Sequence, residues 1–103
     1  MADFDPTDLQ AQDDQQAKAA ADARLAQQFE VDDLKWVMSN KKGRRFALRL
    51  LERAGLWRLS FDTNALRMAF NEGTRNEGLR MVAQITEHCP ARYNEMLEES
   101  RQP

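Results

Sequence analysis

Cysteine and histidine are almost missing from this chain: 103 residues hold one of each, Cys89 and His88, beside four Gly and three Pro. One Cys cannot close an internal disulfide, and one Cys with one His makes neither a zinc-finger nor a Cys-His-Asn pattern. The chain is therefore expected to be intracellular in origin, with no metal and no cofactor. The glycines form no phosphate-binding loop, because Gly73 and Gly78 lack a preceding strand and a following Lys-Ser/Thr. No apolar run approaches the ~18 residues of a membrane span, and Met1-Ala2-Asp3-Phe4-Asp5 is acidic where a signal peptide is basic, so neither secretion by that route nor a membrane span is expected. A chain this short buries only about 60–65% of its unfolded surface, which leaves no room for a deep catalytic cleft or a small-molecule substrate.

Charge is plentiful, and it is segregated. Residues 1–33 carry nine acids and two bases, a net −7; residues 34–59 carry eight bases and one acid, a net +7; residues 60–103 carry seven acids and five Arg, a net −2. The overall −2 thus hides an acidic third and a basic third. Such asymmetry predicts an electrostatic partner for the middle segment: nucleic acid, an acidic protein, or the chain's own acidic third.

The periodicity predicts an all-α fold, a small bundle of about five helices with a helical, acidic N-terminal extension. Residues 1–30 are expected to form an acidic arm and an Ala/Gln-rich helix, and residues 31–100 the helical core. Met1 to Gln12 reads as an arm that orders only if something holds it. From Asp13 to Phe29 good helix formers dominate, and Ala17, Ala21, Leu25 and Phe29 recur every four residues as a thin apolar stripe suited to a partner helix. A short helix Leu34–Ser39 is expected to be capped by Asp32 or Asp33, and a helix Lys41–Ala54 by Ser39 or Asn40, with Gly55 as its left-handed stop. Leu56 to Phe61 reads as an apolar connector packed on the core. Ser60 or Asp62 would cap a helix Thr63–Asn71 carrying Leu66, Ala69 and Phe70 on one face. Gly73 and Gly78 would bracket a turn or a weak point, with a helix over Asn76–His88, and Pro90 suits the first turn of Ala91–Ser100.

The sharpest local feature lies in Lys41–Ala54. Phe46, Ala47, Leu50, Leu51 and Ala54 are expected to form its apolar face, while Lys41, Arg45, Arg49 and Arg53, with Lys42 beside them, line up as a basic stripe. Like charges at i,i+4 repel by about 0.2–0.5 kcal/mol per pair, so a negative partner would relieve the helix. The stripe is thus a candidate contact for a DNA backbone or an acidic partner. The alternative is a solvated face with Glu52 as local counterion. Trp36 and Trp57 are expected to pack in the core, and Met38, Met68, Met81 and Met96 to fill it. His88 and Cys89 point about 100° apart on a helix and have no orienting third group. No catalytic residue is expected, and the protein is not read as an enzyme.

Two blocks of sequence resemble a family of small proteins encoded by tailed, mainly short-tailed, bacteriophages. The first is Asp33-Leu34-Lys35-Trp36-Val37-Met38-Ser39 with Lys42-Gly43-Arg44-Arg45-Phe46 and Leu50-Leu51-Glu52-Arg53-Ala54-Gly55. The second is Phe61-Asp62, Met68-Ala69-Phe70-Asn71-Glu72-Gly73, Arg75-Asn76, Gly78-Leu79 and Glu87-His88-Cys89-Pro90. The likeness covers about residues 30–98. It implies a gene among the head and portal genes, hence a structural, virion-associated protein made in the bacterial host cytoplasm. Its expected partners are the portal or a neighbouring head or tail protein, in multiple copies, and the packaged DNA backbone; an ejected component is a variant of this. The alternative is a non-structural phage protein that binds a host protein or nucleic acid during infection.

Overall fold

The computed structural model describes residues 6–102; Met1 to Asp5 of the expected arm, and Pro103, lie outside the described residues. All regular structure among the described residues is helical: α1 Pro6–Met38, α2 Lys41–Arg53, α3 Ala65–His88 and α4 Pro90–Ser100. Four helices stand where about five and an extension were expected, because two pairs of segments are fused. The stretches 13–29 and 34–39 are parts of α1, which also takes in residues 6–12, so Asp32 and Asp33 cap nothing. The stretches 63–71 and 76–88 are parts of α3, which runs straight through Gly73 and Gly78. Gly78 is buried, and a Cβ there would lie 3.1 Å from the Ala54 Cβ, so this glycine admits a close neighbour rather than a turn.

The chain divides into two compact units, Met1–Asp32 and Asp33–Pro103. In the first, every side chain from Thr7 to Glu30 is exposed. Helix there rests on the propensity of Ala, Gln, Lys and Leu rather than on burial.

The second unit has the core. Met38 from the last turn of α1, Ala47 and Leu51 from α2, Leu56 from the following loop, Ile85 from α3 and Met96 from α4 are buried together. Leu34, Leu48, Met81, Val82, Cys89, Tyr93 and Leu97 pack partly against them. Each fully buried Met, Leu or Ile contributes about 1.5–3 kcal/mol. α2 and α3 both pack on α4, and α2 meets α3. The methionine expectation holds for Met38, Met81 and Met96.

Local signals place the ends. Asn40 Oδ1 accepts a hydrogen bond from Gly43 N at 2.8 Å and caps α2, and Gly55 follows the helix at φ 80°. α3 is capped by Asn64, whose Oδ1 accepts from Arg67 N at 3.0 Å, in place of Ser60 or Asp62; Asp62 instead accepts from Asn64 N at 2.8 Å and pairs with Arg67. Pro90 opens α4. The connector departs from expectation: only Leu56 is buried, while Leu59 is 93% and Phe61 75% exposed.

One buried charge joins these pieces. Arg44 is 7% exposed, donates to the Met38 carbonyl at 2.9 Å, and pairs with Glu99 at 2.5 Å and Glu95 at 3.4 Å on α4. Beside it, Gly43 lies so close to the Val37 carbonyl that a Cβ would overlap it.

Three outcomes follow for stability, read by denaturant unfolding. Arg44→Met keeps the bulk but leaves the Met38 carbonyl unpaired, and should cost about 1–3 kcal/mol. Gly43→Ala forces backbone apart and should cost about 1–3 kcal/mol. The Glu95 carboxyl is held below its ordinary value by a hydrogen bond from Arg92, with the Arg44 and Arg92 charges adding to this against partial desolvation. Its folded pKa is thus below its unfolded one, so its contribution is whole above the unfolded value and disappears as pH falls through the folded one. Glu95→Gln should flatten the loss of stability on the acid side of the carboxylate range and leave the neutral-to-alkaline profile unchanged in shape.

Candidate functional site

α2 turns one side to the core and the opposite side to solvent. At 100° per residue, Arg44, Ala47, Leu48 and Leu51 share an arc of about 100°, and these, with Gly43 in the first turn, are its buried or half-buried positions. The expected apolar face is therefore narrower and rotated. Phe46 and Leu50 fall outside that arc and are 52% and 38% exposed.

The five basic residues singled out in the sequence are all exposed; Lys42, Arg45, Arg49 and Arg53 share the outward side, while Lys41 borders the core arc beside Leu48. Among the described residues, none of the five forms an ion pair. Glu52 makes no salt bridge with them; its carbonyl accepts from Gly55 N and from Arg58. The Arg49 guanidinium stands 5.9 Å from the centre of the Phe46 ring, near the outer limit of a cation–π contact. Phe46 and Leu50 run along one edge of the basic stripe, so the face is both cationic and apolar. Where α2 ends, Arg49, Glu52, Arg53, Trp57 and Arg58 line a shallow open depression. Arg58 is tied there by its own helix, donating to the Glu52 and Arg53 carbonyls at 3.1 and 3.4 Å. It serves as a C-terminal cap and is not a free charge of the stripe.

Both tryptophans correct the expectation of core packing: Trp36 is 72% and Trp57 52% exposed. The core's small volume, filled by Met, Leu and Ile, leaves them outside. The expected apolar face of the 63–71 segment is also solvent-facing, with Leu66 84% and Phe70 70% exposed. Ala17, Ala21, Leu25 and Phe29 lie on α1 in the first unit, all exposed.

Sequence reasoning missed Arg44. It reads as one more base in a basic run, yet its register betrays it: Arg44, Ala47 and Leu51 are spaced i, i+3, i+7 on the core side. His88 lies 3.9 Å from Glu87 and has no nucleophile aligned with it. Burial pushes the Cys89 thiol above its ordinary value, opposed by the charges of Lys35 and Arg92. Among the described residues no three His, Cys, Asp or Glu side chains converge, and no helix is long and apolar enough to cross a membrane.

A family model described as Bbp19-like phage protein matches residues 34–98, well over half of the chain, and the chain belongs to this family of phage proteins. The match coincides closely with the second unit, and the acidic stretch of α1 lies outside it. No curated protein and no solved structure matches the chain.

If the stripe serves contact and not the fold, replacing Arg45, Arg49 and Arg53 with Ala removes repulsion and one long cation–π contact. The triple variant should unfold within about 0.5 kcal/mol of the parent or slightly above it, measured by chemical denaturation. A loss of 2 kcal/mol or more, on the scale of a lost buried interaction, would make the stripe structural.

Proposed function

We propose that this phage protein is a structural, virion-associated component that works by protein–protein contact through the outward face of α2. Its place is at the portal, in the head interior or among the ejected proteins, in several copies, after synthesis in the host cytoplasm. No catalysis, cofactor or small-molecule substrate belongs to this reading.

The observation that carries it is the state of that face. Lys41, Lys42, Arg45, Arg49 and Arg53 stand exposed and without ion pairs beside exposed Phe46 and Leu50. A face that only solubilised the protein would not need the two apolar residues, and a face that only packed would not carry five unpaired cations. A DNA backbone uses the cations alone and leaves Phe46 and Leu50 unexplained. The acidic residues of α1 also make the chain as a whole a poor polyanion ligand, at a net −2. An acidic protein surface with apolar content uses both. The family supplies the phage setting, and placement in the particle follows what the resemblance to head- and portal-neighbourhood proteins implies.

Quantitative mass spectrometry of purified particles is the test. The protein should be present at a fixed number of copies per particle. Abundance in infected cells with absence from particles would overturn the structural reading in favour of a non-structural contact with a host component.

A further inference from the structure

The partner of the α2 face is written in the same chain. Asp22, Leu25, Phe29 and Asp32 on α1 are spaced i, i+3, i+7, i+10, which puts them within about 80° of the helix circumference. All four are exposed, with Leu25 at 53% and Phe29 at 56%. Among the described residues the acids of α1 form no ion pair. This face is an apolar pair four residues apart, flanked by carboxylates. The α2 face is an apolar pair four residues apart, Phe46 and Leu50, flanked by Arg49 and Arg53. The two are opposite in charge sign and alike in apolar spacing. They are also comparable in extent, since Asp22 to Asp32 spans about 15 Å and Phe46 to Arg53 about 11 Å at 1.5 Å per residue.

We propose that copies of this protein join head to tail, the Asp22/Leu25/Phe29/Asp32 face of one copy's α1 docking on the Arg49/Arg53/Phe46/Leu50 face of the next copy's α2. The proposal deepens the functional reading above and rests on its claim that the α2 face contacts protein. The donor and acceptor surfaces are different patches, so the interface is heterologous, and repetition closes a ring or extends a chain, as the rotation between copies dictates. Leu25 and Phe29 explain why a helix with no core of its own carries large apolar residues at all. The segregation of −7 and +7 along the sequence becomes the two halves of one interface, in which like faces repel and unlike faces pair.

Mutual complementation in solution, followed by light scattering after size exclusion, tests this with the full chain. The parent should be multimeric at low salt and dissociate toward monomer as ionic strength rises toward 1 M. Two charge reversals, Arg49→Glu with Arg53→Glu in one variant and Asp22→Lys with Asp32→Lys in another, should each weaken association by at least about tenfold. In an equimolar mixture every docking is again between unlike charges, native face on native face and reversed α1 on reversed α2, so the mixture should regain the multimeric mass that each variant alone loses. Helical circular dichroism of each variant guards against misfolding as the cause. A parent that is monomeric at low salt, an association unmoved by either reversal, or two folded variants that do not recombine would overturn the proposal. Binding of duplex DNA that is lost with Arg49→Glu and Arg53→Glu, by a parent that stays monomeric, would assign the face to DNA instead. Particle composition is independent of all these readings: a virion protein that never self-associates refutes this inference alone.

Discussion

The second unit turns on Arg44. Helices α1 and α2 are separated by only Ser39 and Asn40, and the carbonyl of Met38 at the end of α1 is buried at that corner. Arg44 answers it and spends its remaining donors on Glu95 and Glu99 of α4. A single planar guanidinium thus fixes three helices at one point, which a lysine could not do with a compact ammonium. Burial of Met38 and Met96, two of the largest core side chains, depends on this corner staying closed. The two carboxylates are partly exposed, so the arrangement avoids the desolvation cost of a fully buried ion pair while leaving no buried side-chain nitrogen or oxygen unpartnered among the described residues.

What was legible in the sequence was local. Asn40, Gly55 and Pro90 act within a turn of where they stand, and each does what its own chemistry dictates. The all-helical class followed from periodicity for the same reason. What was not legible was the outcome of competition. Gly73 and Gly78 are breakers by propensity, but each costs only about 1 kcal/mol in a helix, and the packing of the following turns on α2 and α4 outweighs that. Trp36 and Trp57 are core residues by habit, and were left outside because a core of this size is filled first by the residues that fit between α2, α3 and α4. Of the candidate site, the basic stripe was visible from its four-residue repeat. Its apolar edge was not, because Phe46 and Leu50 are indistinguishable from core residues until the helix is rotated about its axis. The one charge that matters to the fold was hidden among the charges that do not.

Apolar surface is distributed unusually for so small a protein. Six hydrophobic side chains are buried, while Trp36, Phe46, Trp57, Leu59, Phe61, Leu66 and Phe70 of the same unit are more than half exposed. Single exposed hydrophobes are ordinary; in the assembly proposed above, these residues would be available for cover by neighbours. A protein that lives in an assembly can keep a minimal core and rely on neighbours for the rest, since anything that binds only the folded state adds to its stability.

Cys89 bears on the assembly proposed above. Many copies held together bring many thiols to high local concentration, the condition under which chance disulfides form fastest. The sulfur at the α3–α4 junction is half sheltered and its thiol holds its proton more tightly than a free cysteine does. Thiolate is the reactive species in disulfide exchange, so little of it is presented at neutral pH. The junction therefore carries a sulfhydryl of low reactivity in disulfide exchange.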